Sequence, residues 1–315
     1  MSLFDDLAEW NLHCYCPDAT RTPHSIVRMD DNGKILKAAV GGITRAELTS
    51  RGLSPAMSQL RLLEEYRLLS VRGDRLTTTF PVLDAGLIAV LRSTAVTHGG
   101  HIAAEIVEEA AAVSSLLESE GMRSSAYAVL FGYCLDGLLW YELARRGILP
   151  DTALTLERPR WAGLFWASFP EQHQFPGTNT VSAGDLSLIT VWTERTLAEL
   201  NRHAADPSLV ARARSWAVPL LTGEGRIDEL CAAIAGRVAT ELDDRLAPAA
   251  SAIPGTDRVG GTVILAHELI WAVIGELVAR GVCALPTALR ESGEAEPLSE
   301  AAIAELLVFT RVARP

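Results

Sequence analysis

His98, His101 and Glu105 recur at a spacing that would set two imidazoles and a carboxylate on one helical face, with donor types that zinc or iron accepts. His13-Cys14-Tyr15-Cys16 offers a second set of metal donors. Neither set reaches four well-placed ligands, and Gly99-Gly100 interrupts the first, so no metal site is assigned. His267-Glu268 begins like a zinc-protease motif, but Trp271 stands where its second histidine belongs. The chain has no GxSxG nucleophile elbow, no HExxH and no phosphate-binding P-loop. Glu241, Asp243 and Asp244 read as the solvated face of a helix. No catalytic residue is assigned and no cofactor is named. Any catalysis would rest on groups brought together by the fold rather than by a linear motif.

Aromatic residues form a second chemical pattern. Of seven tryptophans, Trp161, Trp166 and Trp192 fall on two strand-like runs, and Trp140, Trp216 and Trp271 on helical sequence. A long loop between the two runs carries His173, Gln174, Asn179 and Thr180, polar groups able to orient a ligand. The candidate ligand-binding set is Trp140, Trp166, His173, Asn179, Trp192 and His267, facing a small, largely apolar molecule. The competing reading of the helical tryptophans is a plain hydrophobic core.

Charge narrows the partners. The 315 residues carry a formal net charge of −11, which disfavours phosphate binding by the chain as a whole. Residues 28–80 are the exception, with nine lysines or arginines against six carboxylates. Five cysteines without a CxxC pair, and an acidic start at Phe4-Asp5-Asp6 in place of a signal peptide, point to a reduced cytoplasm. Cys134, Cys231 and Cys283 lie in apolar helical sequence and read as buried thiols. The most apolar run, 259–277, is interrupted by His267, Glu268 and Glu276, which argues against a membrane span.

The elements that would position these groups are mostly helical, because alanine and leucine dominate. A hydrophobic share of 49% is ample for a core. Residues 33–40 read as a short helix. Thr44 with Glu47 forms a capping box for a second helix ending at Gly52. Ser54-Pro55 starts a third, with Met57, Leu60 and Leu63 on its core face. Residues 69–71 and 76–80 are strand formers joined by Arg72-Gly73-Asp74-Arg75. A helix follows from Asp84, broken at His98-Gly99-Gly100-His101 and resuming at 102–118. Residues 161–169 and 186–192 read as the two strands of a β-hairpin insertion, and helices return at 193–204, 208–220, 226–246, 256–280 and 299–312.

The stretch GKILKAAVGGITRAELTSRGLSPAMSQLRLLEEYRLLSVRGDRL resembles bacterial winged-helix regulators of the ArsR and MarR kind over residues 33–80. It departs from their pattern in a recognition segment about three residues short and in Arg67 where glycine is common before the wing. The resemblance implies DNA contacts by Arg45, Arg51, Ser58, Gln59, Arg61, Arg72 and Arg75, with Ser58, Gln59 and Arg61 outward on the recognition helix. The expected fold is thus mainly α: an N-terminal arm and winged helix over 1–83, then a larger helical domain over 84–315 with a small β-hairpin at 161–192. The expected function is a ligand-responsive transcriptional regulator that binds double-stranded DNA and forms a homodimer through helix 84–120. Two alternatives stand beside it: an adaptor or small-molecule binder on the same scaffold, and an enzyme centred on the tryptophan-rich hairpin.

Overall fold

Local caps and apolar periodicity set the first elements of the chain, and pairings distant in sequence complete them. The computed structural model describes residues 5–17, 22–170, 176–183, 185–193, 196, 211, 213–290 and 298–311. It is mainly helical and divides into two units. The first comprises residues 1–91, 149–172 and 247–264; the second comprises 92–148, 173–246 and 265–315. The division is therefore not the single cut after residue 83 read from the sequence. Later segments return to the first unit because one of them supplies the middle strand of its sheet.

The first unit opens with β1 (Asn11–Tyr15), α1 (His24–Val27) and α2 (Asn32–Ala38). Then come β2 (Ile43–Thr44), α3 (Arg45–Ser50) and α4 (Met57–Glu65). β3 (Leu69–Arg72) and β4 (Arg75–Thr78) form a hairpin, and β2 pairs antiparallel with the other side of β4. Ile35, Leu36, Leu48, Leu60, Leu63, Leu68 and Leu76 make one core with Trp10, Tyr66 and Phe165. Each buried leucine in it contributes about 1.5–3 kcal/mol over exposure. A second sheet joins β1, β5 (Val82–Leu83) and β6 (Leu164–Ser168), with β6 in the middle, antiparallel to β1 and parallel to β5.

The expected hairpin between residues 161–169 and 186–192 does not form. Both runs are strands, but they belong to different units. β7 (Gly177–Ala183), inside the stretch read as loop, takes the place of β6 as partner of β8 (Leu186–Trp192). The second unit's sheet continues with β9 (Leu220–Leu221) and β10 (Leu307–Thr310) in the order β7-β8-β10-β9. Here too the sequence reading is corrected. The helix expected over 299–312 stops at Ala304, and Leu307-Val308-Phe309-Thr310 pairs with β8. All four residues of β10 are buried, and three of them, Val308, Phe309 and Thr310, are β-branched or aromatic types that favour a strand.

Gly99-Gly100 does not break its helix, which runs unbroken from Ala85 to Ser119. Gly99 serves packing instead: a Cβ there would lie 2.7 Å from Cβ of Ala272. Residues 128–138 form a π-helix, and the helix Arg226–Thr240 packs against it. Gly132 lets this π-helix approach β8, since a Cβ would meet Val191 at 3.1 Å. The helix Arg258–Ala279 is, among the described residues, the one long and apolar enough to cross a membrane, with a mean hydropathy of 1.7 over its window. Of that window 61% is buried inside the protein, as in a core helix. Arg92 reaches Glu268 on this helix at 2.9 Å, an ion pair largely withdrawn from solvent.

Candidate functional site

The seven residues assigned to DNA contact lie around α3, α4 and the β3–β4 hairpin. Thr44 accepts from the Glu47 amide at 3.2 Å, and Glu47 Oε2 accepts from the Thr44 amide at 2.8 Å, so the capping box is present. The bonds that the Thr44 amide and the Thr44 hydroxyl donate to Glu47 Oε2 hold the Glu47 carboxyl below its usual pKa. α3 gives way to a turn at Gly52, whose φ of +80° suits glycine. α4 starts at Met57 rather than at Ser54-Pro55. Leu53 is half-buried against the core, and extended backbone at Ala56 leads from it into the helix.

On α4, Leu60 and Leu63 face inward, while Met57, Ser58, Arg61 and Glu64 are exposed. Gln59 is not outward as expected. It is half-buried and donates to Oδ1 of Asn32 at 2.9 Å. Arg45 is also half-buried, with Nη1 3.1 Å from the Met57 sulfur. Arg51 and Arg72 are exposed. Arg75, exposed as well, donates to Gly41 O at 3.2 Å and lies over Gly42. Of the seven candidates, the exposed cationic groups are thus Arg51, Arg61, Arg72 and Arg75. Arg67, where glycine was expected, adopts the left-handed conformation itself, with φ +51°.

The described ligand-site candidates divide between the two units. Trp166 is buried in the first unit and stacks on His13 at 5.1 Å. His173, together with Gln174, lies outside the described residues. Trp140 and His267 do meet, with ring centroids 5.3 Å apart, and His267 also touches Trp271 at 5.9 Å. Burial between these indoles lowers the His267 pKa to about 4, so the ring is neutral near pH 7. Trp192 packs against Gly177, and Asn179 is exposed on β7.

Sequence reasoning missed the residue that ties this cluster to the sheet. Asp136, on the π-helix, accepts from Trp140 Nε1 at 3.0 Å and from Thr178 Oγ1 at 2.6 Å. Trp271 Nε1 closes the circuit by donating to Pro176 O at 2.9 Å. A cavity of about 40 Å³ adjoins Asp136, lined also by Tyr133, Thr178, Ser187 and Thr310. That volume admits a few waters, not a drug-sized ligand. Tyr133 donates to the buried Asp228 at 2.6 Å, and burial with this carboxylate pushes the phenol pKa up.

A larger groove of about 340 Å³ lies among Glu105, Gly236, Arg237, Thr240, Glu241, Asp244 and Arg245. Glu241 is not on a solvated face. It is buried at the start of a π-helical turn, 2.6 Å from His98 and 3.2 Å from Arg245. His98 is thereby committed to a carboxylate, and among the described residues no three metal-ligand side chains converge. The aromatic cluster lines neither of these two cavities. No family model, characterised protein or solved structure matches this chain.

Proposed function

We propose that residues 33–80 are a winged helix that grips double-stranded DNA, and that the chain is a transcriptional regulator responsive to a small ligand in its second unit. The observation that carries this reading is the exposed pair Ser58 and Arg61, one turn apart on α4, together with the exposed hairpin arginines Arg72 and Arg75. These side chains suit base-edge and phosphate contacts respectively. The surplus of positive charge in residues 28–80 of an otherwise acidic chain supports the same reading.

The ligand we infer is polar rather than the apolar molecule expected from the tryptophans. The 340 Å³ groove has the size of a small-molecule site and is lined by two arginines and three carboxylates. Pairing with a second copy would run along the helix Ala85–Ser119, where Val90 and Val96 are 64% and 57% exposed. A second reading, docking of a protein by the winged helix, is favoured by Met57, which is 52% exposed on α4. Electrophoretic retardation of genomic fragments at graded salt separates the two. Retention that weakens with salt and is lost in Arg61→Ala supports DNA binding. No retention at low salt, with Arg61→Ala, Arg72→Ala and Arg75→Ala all silent, overturns it in favour of docking.

A further inference from the structure

A pair of thiols in the first unit plays no part in the DNA-binding reading. Cys14 on β1 and Cys16 just beyond its end place their sulfurs 2.8 Å apart. Residues two apart on an extended strand share a face, which is how the pair meets across Tyr15. Both are free cysteines and only half-buried, whereas Cys134, Cys231 and Cys283 are buried. Both pack against the same core as Leu60 and Leu63 of α4.

The two sulfurs are not equivalent. The hydrogen bond between the two thiols lowers the Cys16 pKa, and the same bond, together with burial, raises that of Cys14. Cys16 is thus the sulfur more readily ionised and Cys14 the one that keeps its proton.

We propose that Cys14 and Cys16 form an oxidisable dithiol, a modification site that a peroxide closes to an intramolecular disulfide. The Cys16 thiolate attacks one peroxide oxygen and the O–O bond breaks. This leaves a sulfenic acid on Cys16 and releases the other oxygen as hydroxide or alkoxide, which takes a proton from solvent to become water or an alcohol. The Cys14 sulfur then attacks Cys16 Sγ, the S–S bond forms and the S–O bond breaks. The hydroxyl leaves as water with the proton from Cys14. Two electrons pass from the thiol pair to one peroxide. The sulfurs need to close from 2.8 Å to about 2.05 Å, a movement within reach of side-chain rotation.

The test uses the full reduced chain, treated with hydrogen peroxide, quenched with N-ethylmaleimide under denaturing conditions and digested with trypsin. Residues 1–21 contain no lysine or arginine before Arg21, so one peptide carries both cysteines and none of the other three. The expected product is this peptide two hydrogens lighter and unalkylated, restored by dithiothreitol, with Cys134, Cys231 and Cys283 still alkylated. In Cys14→Ser, Cys16 stops at a sulfenic acid trapped by dimedone. The proposal is overturned if residues 1–21 remain doubly alkylated after oxidant, accumulate sulfinic acids, or link to a second chain. None of these readouts depends on DNA binding.

Discussion

Gln59 of α4 donates to Oδ1 of Asn32 at 2.9 Å, and Asn32 passes a 2.7 Å bond on to Ile26 O. Asn32 is fully buried, so this relay fixes α4 against α2 through a group with no access to water. Asn32→Leu removes both bonds and leaves the Ile26 carbonyl and the Gln59 amide without them. The first unit is expected to lose about 1–3 kcal/mol, read from urea unfolding. Gln59→Ala breaks one of the two bonds and leaves Asn32 donating to Ile26 O, so it is expected to cost less.

The proposed base-edge and phosphate contacts to DNA separate by salt. Under the proposed function, Arg61→Ala is expected to weaken specific DNA binding by about 1–3 kcal/mol and to relax preference at one base. Arg72→Ala, on the hairpin turn, is expected to weaken all sequences alike. It reduces the slope of log affinity against log salt by about 1, measured by fluorescence anisotropy over a salt series.

Arg67 holds φ at +51° where its side chain contributes only a 3.4 Å bond to Glu157 O. Glycine adopts that conformation without the Cβ clash, a gain of about 1–2 kcal/mol, and returns part of it through a freer unfolded chain. Arg67→Gly is expected to stabilise by about 0.5 kcal/mol, a rise in Tm of about 1–2 °C. Arg67→Ala keeps the strain and is expected to show no rise. Differential scanning calorimetry of the three proteins decides this.

His267 gives the second unit an acid-side weakness. Its pKa falls from an ordinary 6.5 to about 4 in the folded chain. Between those values the unfolded chain binds a proton that the folded chain does not. Stability is therefore full above pH 6.5 and declines as pH falls toward 4, by about 2–3 kcal/mol. His267→Phe is expected to flatten that part of the curve in urea denaturation at stepped pH.

What was legible in the sequence was local. Thr44 and Glu47 sit three residues apart, and their capping box formed as read. Of the three residues read onto the core face of α4, Leu60 and Leu63 are buried, but Met57, in the first turn, is exposed. The errors came from partners far along the chain. Gly99 looks like a helix breaker until Ala272 is seen to press against it. Glu241 looks solvated until His98, 143 residues away, is seen beside it. β6 and β8 have the alternation of strands, but nothing in that alternation says that Ser168 pairs with Asn11 and Trp192 with Gly177. Asp136 carries no motif; its two bonds exist because the π-helix sets it beside β7.

The middle position of β6 has a consequence for synthesis. β1 and β5 emerge within the first 83 residues, but the strand that both pair with spans 164–168. At about 5–20 residues per second, the ribosome leaves these two edges without their partner for several seconds. Unpaired strand edges are templates for aggregation. The nascent first unit is thus exposed to misassembly until Leu164–Ser168 appears, and its chaperone dependence would fall in that interval. A fragment cut after residue 83 would carry the same open edges permanently.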